Sequence, residues 1–107
     1  MRVYISGAIT DNPNFKRDFD IAQSVLESAG YEVINPAHLC EVIPNADWDV
    51  YMVLGETLMN FAEAIAMLPG WEKSKGAKIE KLEADRKRKV FVDIMKYLPF
   101  AEEGEKC

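Results

Sequence analysis

Apolar residues gather in four short runs along the chain: Val3-Tyr4-Ile5, Val33-Ile34, Ala64-Ile65-Ala66-Met67-Leu68 and Val90-Phe91-Val92-Asp93-Ile94. They recur at intervals of roughly one strand–helix unit. Within each run apolarity is nearly continuous, the mark of strands covered on both faces in a parallel sheet. Between the runs the spacing becomes helical. Phe15, Phe19, Ala22, Leu26 and Ala29 stand four, three, four and three residues apart, a stripe down one helix face that Gly30 is placed to end. A second pattern carries Trp48, Met52, Leu58 and Met59 behind Asp47 as N-cap, with Gly55 weakening it. In the third, Ile79 and Leu82 are expected to face the sheet, the remainder being charged. Pro36 and Pro44 bracket the loop after the second strand, and Pro69-Gly70 marks a sharp exit from the third.

Strands alternating with helices predict a doubly wound α/β fold, flavodoxin- or Rossmann-like. About four parallel strands in the order 2-1-3-4 carry helices on both faces. At 107 residues the chain suits one core, so we expect a single domain over residues 1–98 and a polar tail over residues 99–107. The net charge of −5 offers no general attraction for a polyanion. The basic run Arg86-Lys87-Arg88-Lys89 falls at an expected helix C-terminus, where cations complement the dipole, and no nucleic-acid partner is expected. A compact phosphorylated ligand is different, because backbone amides hold it without net positive charge. Cys40 and Cys107 follow no metal or redox spacing and read as free thiols of a reducing compartment. No signal peptide precedes the first strand, and no apolar run approaches the roughly 20 residues that span a bilayer. The expectation is a cytoplasmic protein with no membrane partner, metal or cofactor.

In a sheet of this order ligands bind beyond the carboxyl ends of the strands where the winding reverses, here between the first and third strands. The first loop reads Ser6-Gly7-Ala8-Ile9-Thr10. Small residues let backbone amides approach a ligand, and the Ser6 and Thr10 hydroxyls add hydrogen bonds. Its plain alternative is that Gly7 only turns the chain. The third-strand loop reads Pro69-Gly70-Trp71-Glu72-Lys73-Ser74-Lys75-Gly76. Trp71 offers a flat face for a base to stack on, Ser74 is placed to cap the next helix, and Gly76 implies close approach of something. Alternatively, Trp71 packs on a neighbouring subunit.

These two segments resemble the nucleoside 2-deoxyribosyltransferase superfamily, above all its short branch with a Tyr-Ile-Ser-Gly start and a Leu-Pro-Gly-Trp-Glu-x-Ser-x-Gly-Ala segment. The likeness runs from the first strand to the end of the third helix and includes Asn35-Pro36-Ala37 and Tyr51-Met52. It implies a doubly wound sheet, homo-oligomers (dimers or higher), and binding of a nucleoside or its monophosphate at the switch point. It also implies N-glycosidic cleavage or transfer by a carboxylate nucleophile two residues before a Gly. A first-strand Tyr orients that carboxylate, and an acid from the second helix assists. Tyr4 matches the tyrosine. Ser74, however, stands at the nucleophile's position and Gly55 at the acid's, with Glu56 beside it. A neutral Ser with no evident base cannot replace a carboxylate. Glu72, or Glu80 within the third helix, is then left to supply the carboxylate from a shifted position, and Glu56 the acid. Glu72 is the favoured candidate because its loop faces the crevice, while Glu80 reads more simply as surface charge.

His38 follows Asn35 at the end of the second strand and overlooks the expected site, although a lone His is usually structural. Glu63 reads as a strand terminator, Asp93 as a carboxylate needing an exposed strand end, and Met52, Met59 and Met67 as core. Three functions compete. One is an N-glycosidase or transferase using Tyr4, Glu72 and Glu56. Another is a nucleotide-binding module that has lost catalysis. The third is an assembly subunit whose exposed Trp48, Tyr51 and Met52 form the interface.

Overall fold

The computed structural model describes residues 1–97; the expected tail and Cys107 lie outside the described residues. Four parallel strands, β1 (Arg2–Ser6), β2 (Glu32–Ile34), β3 (Ala64–Met67) and β4 (Val90–Phe91), form one sheet in the order β2-β1-β3-β4. Three longer helices connect them: α1 (Phe15–Ser28), α2 (Trp48–Met59) and α3 (Lys75–Arg86). The predicted α/β architecture and strand order are those observed. After β2 the chain adds a 3₁₀ turn, Pro36–His38, and a short helical turn, Leu39–Val42, where a loop was expected. Asn35 starts the turn by accepting a hydrogen bond from the Ala37 amide at 3.0 Å.

Side chains alternate along the strands, and the alternation sorts the core into two layers. Val3 and Ile5 of β1 point with Ala64 and Ala66 of β3 toward Phe19, Ala22 and Leu26 of α1. Tyr4 points with Ile65 and Met67 to the opposite face, against Met59 of α2 and Ala77 and Ala84 of α3. Phe19, Ala22 and Leu26 of the α1 stripe therefore face the sheet as the spacing predicts, with Phe15 half-buried beside them, whereas Ala29 lies past the helix and is exposed. Gly30, at φ +96°, follows the helix end.

The third helix is turned differently from expectation. Ile79 is 38% exposed and Leu82 69%, whereas Ala77 and Ala84 are buried. Small side chains let α3 lie close to the sheet, so its inner stripe is Ala77–Glu80–Ala84. The last strand is shorter than its apolar run; beyond it Asp93 is exposed and caps a 3₁₀ turn through the Met95 amide. The basic run fastens the end of α3, with Lys87 Nζ donating to Asn60 Oδ1 and Lys89 Nζ to the Ala62 carbonyl, both at 2.6 Å. Among the described residues, no helix is long and apolar enough to cross a membrane.

The exits of β1 and β3 are locked together at Gly7. The Leu68 amide donates to the Ser6 carbonyl at 2.8 Å, and a Cβ at position 7 would lie 2.8 Å from Leu68 Cβ. Gly7→Ala is therefore expected to destabilise the fold by about 1–3 kcal/mol in urea unfolding. A loss within about 0.3 kcal/mol of zero would show that the two exits are not held at this spacing.

Candidate functional site

A cavity of about 700 Å³ opens beyond the carboxyl ends of β1 and β3, within the ~300–1,000 Å³ usual for small-molecule sites. Each of its walls comes from a strand exit or the helix after it. Gly7, Ile9, Thr10 and Asp11 follow β1, and Pro36, Leu39 and Cys40 follow β2. Trp48, Tyr51 and Met52 come from the first turns of α2, and Lys73 through Ala77 lead into α3. Tyr51 also secures the loop before α2, its hydroxyl donating to the Ile43 carbonyl at 2.6 Å and accepting from the Ala46 amide at 3.1 Å.

Tyr4 and Glu80 join the same wall. Tyr4 and Ser6 are two residues apart on a strand, so both point toward α3. Glu80 occupies the inward stripe of α3 between the two buried alanines. The three meet there: the Tyr4 hydroxyl donates to Glu80 Oε2 at 2.7 Å, and the Ser6 hydroxyl donates to Oε1 at 2.5 Å. Burial raises the Glu80 carboxyl above its ordinary value, the effect partly offset by the bonds from Ser6 and Tyr4. Burial, then the charge and hydrogen bond of Glu80, push the Tyr4 phenol well above its ordinary range. Tyr4 thus remains a hydrogen-bond donor at neutral pH, and Glu80 is a poorly solvated carboxylate pinned at both oxygens.

Gly55 makes this contact possible. A Cβ on α2 at that position would lie 2.7 Å from the Tyr4 hydroxyl and 2.9 Å from Glu80 Oε2. Gly55 is where the resemblance places an acid, and any side chain there competes for the space that the Glu80 carboxylate occupies. Gly76 has a comparable role, since a Cβ there would lie 3.1 Å from Met52 Sδ. The close approach that Gly76 implies is thus made by α2.

Residues 1–94 match the family described as Domain of unknown function (DUF4406). The chain belongs to that family. The comparison with curated proteins finds no match, and neither does the comparison with solved structures.

In this DUF4406 chain several expected site residues do meet: Tyr4, Gly7, Ile9, Thr10, Ser74 and Gly76 line the cavity. Ser74 also caps α3 through the Ala77 amide. Ser6 is fully buried behind the wall, holding Glu80. The rest fall outside the lining. Ala8 accepts from the Asn12 side chain through its carbonyl. Asn35 bonds to Asp20 and Gln23, and exposed His38 lies 3.3 Å from Asp20. Pro69 and Gly70 are exposed, Gly70 at φ +87°. Three assignments need correction. Glu72 is exposed in the 3₁₀ turn Trp71–Lys73 and stays outside the lining, which that turn enters through Lys73 instead. Glu56 is exposed, 3.8 Å from Lys87, because its neighbour Gly55 takes the inward position on α2. Trp71 packs, half-buried, on the core layer that holds Tyr4, Ile65 and Met67, and Trp48 takes the place in the cavity expected of it.

Glu80 is the residue that sequence reading undervalued, and its signal was the 77–80–84 spacing. Trp48, Met52, Gly55 and Met59 stand four, three and four apart. This stripe faces the cavity in its first half and the sheet in its second. Among the described residues no group of three or more His, Cys, Asp or Glu side chains is disposed to hold a metal ion.

Two outcomes follow for the contact itself. Gly55→Ala should cost about 1–3 kcal/mol in urea unfolding, and Tyr4→Phe should relieve part of that loss because it removes the nearer of the two oxygens a Cβ meets. Strictly additive single and double variants would exclude the clash. Glu80 also carries a pH signature. Its folded-state carboxyl lies above its ordinary value of 4.5, so folding retains a proton there that unfolding releases, and stability falls as pH rises through that window. The melting temperature of Glu80→Gln minus that of the parent should therefore increase from about pH 4.5 toward neutrality. A flat or decreasing difference would show that burial does not penalise this carboxylate.

Proposed function

We propose that this DUF4406 chain binds a nucleoside or nucleoside monophosphate in the cavity and acts, through Glu80, at its N-glycosidic bond. The observation that carries the reading is the Tyr4–Glu80 hydrogen bond in the cavity wall. The nucleoside 2-deoxyribosyltransferase resemblance calls for a first-strand tyrosine holding a carboxylate. Glu80 supplies that carboxylate from a position that Gly55 leaves open.

A desolvated carboxylate suits the chemistry. Breaking the bond from sugar to base leaves positive charge at the anomeric carbon, which an adjacent anionic oxygen stabilises or traps as an ester. The electron pair of the broken bond leaves with the base, which takes a proton from solvent. Water, or a second base, then displaces Glu80 and regenerates the carboxylate, so the outcome is hydrolysis or transfer. Tyr4 and Ser6 fix the orientation of the carboxylate. Asp11, the other carboxylate on the wall, is available to hydrogen-bond the base.

Binding without turnover is the second reading, favoured by the placement of Glu56 and Glu72 outside the cavity. A purely assembling role draws less support, because Trp48, Tyr51 and Met52 line the cavity. Incubation with a panel of nucleosides and monophosphates, with chromatography for free base, separates them. The parent protein should release base, and Glu80→Gln should lower the rate by roughly 10²–10⁴-fold while still binding. Binding with no release anywhere in the panel would eliminate catalysis and leave the binding module; no binding at all would eliminate both.

A further inference from the structure

Charge is unevenly placed around the cavity. Glu80 and Tyr4 belong to one wall with Ser6 buried behind it, Asp11 is the other acidic residue of the lining, and exposed Lys73 and Lys75 enter the lining where the chain leads into α3. In a chain of 18 acidic residues, Lys16, Lys81 and Lys87 each pair with a carboxylate. Among the described residues, Lys73, Lys75, Lys78, Lys89 and Lys96 pair with none, and of these only Lys73 and Lys75 line the cavity. The Lys75 ammonium lies instead over the Trp48 ring, 4.9 Å from its centre. Gly76 sets this arrangement, because its missing side chain lets the first turn of α3 press against Trp48 and Met52.

An ammonium over an indole at an exposed site is weakly held, and a phosphate oxygen binds it more strongly. Moving Lys75 onto an anion uncovers one face of Trp48, and an uncovered indole face stacks on a planar base. We propose that Lys75 and Trp48, with Lys73 beside them, form a coupled recognition pair that selects a ligand carrying a phosphate and a planar ring together. A phosphate alone leaves the indole without a partner, and a ring without phosphate must compete with the ammonium for the same face. The inference rests on the proposed binding of a base-bearing ligand in this cavity and narrows it to the phosphorylated class.

Calorimetry with a nucleoside, its 5′-monophosphate and ribose 5-phosphate tests this on the parent chain and on a Lys73→Met/Lys75→Met double variant. Both lysines are exposed, so the variant should melt within about 4 °C of the parent. The parent should bind the monophosphate at least about tenfold tighter than the nucleoside. In the double variant that ratio should fall to about one, with nucleoside affinity unchanged or improved because the indole face is free. As an independent readout, ribose 5-phosphate should alter Trp48 emission in a Trp71→Phe background, and Lys75→Met should abolish the response. Equal parent affinities for nucleoside and monophosphate, or a ratio that survives in the double variant, would overturn the coupling and leave the proposed cavity function standing. Failure of every probe to bind the parent would instead sink the cavity reading and this inference with it.

Discussion

The arrangement depends on a carboxylate drawn between a sheet and a helix and met there by two hydroxyl groups. Removing an ionised Glu from water is costly unless its oxygens find donors. Tyr4 and Ser6 provide them because a strand presents every second residue to the same face. α3 provides the carboxylate because Glu80 falls on the helical stripe that packs inward. The two periodicities meet only because β1 lies beside β3, whose exit leads into α3.

Small residues set the distances. Gly7 lets the exits of β1 and β3 touch, Gly55 leaves room for the Tyr4–Glu80 bond, and Gly76 brings α3 against α2. Ala77 and Ala84 lower α3 onto the sheet. Each omits a side chain where two elements cross, so the site is shaped as much by missing atoms as by functional groups. Packing of this closeness also explains why Ile79 and Leu82, the bulkier apolar residues of α3, are left on the outside.

The proposed likeness to the deoxyribosyltransferase superfamily turns on this contact. The two positions that depart from the superfamily pattern, Gly55 and Ser74, are occupied by residues with evident structural duties here. One vacates the volume that Glu80 fills, and the other caps α3 at the Ala77 amide. Gly and Ser at those positions therefore do not leave the cavity without a carboxylate.

Much of the fold was legible in the residues alone. Continuous apolar runs spaced one strand–helix unit apart point to a parallel sheet, and the requirement for helices on both faces leaves few orders, of which the favoured one is observed. The α1 stripe, the Ser74 cap and the terminating Gly30 are local signals, carried by neighbours along the chain, and they read correctly. The cavity's location also follows from topology. Which carboxylate enters it does not, because apolarity suggested that Ile79 and Leu82 face inward, and only packing against the sheet rotates α3 so that Glu80 does. The same is true of the two tryptophans. Trp71 and Trp48 are equally plausible ring partners as letters, yet one completes the core and the other lines the cavity. Periodicity along the chain says which residues share a face; what that face meets is decided by contacts between elements distant in sequence.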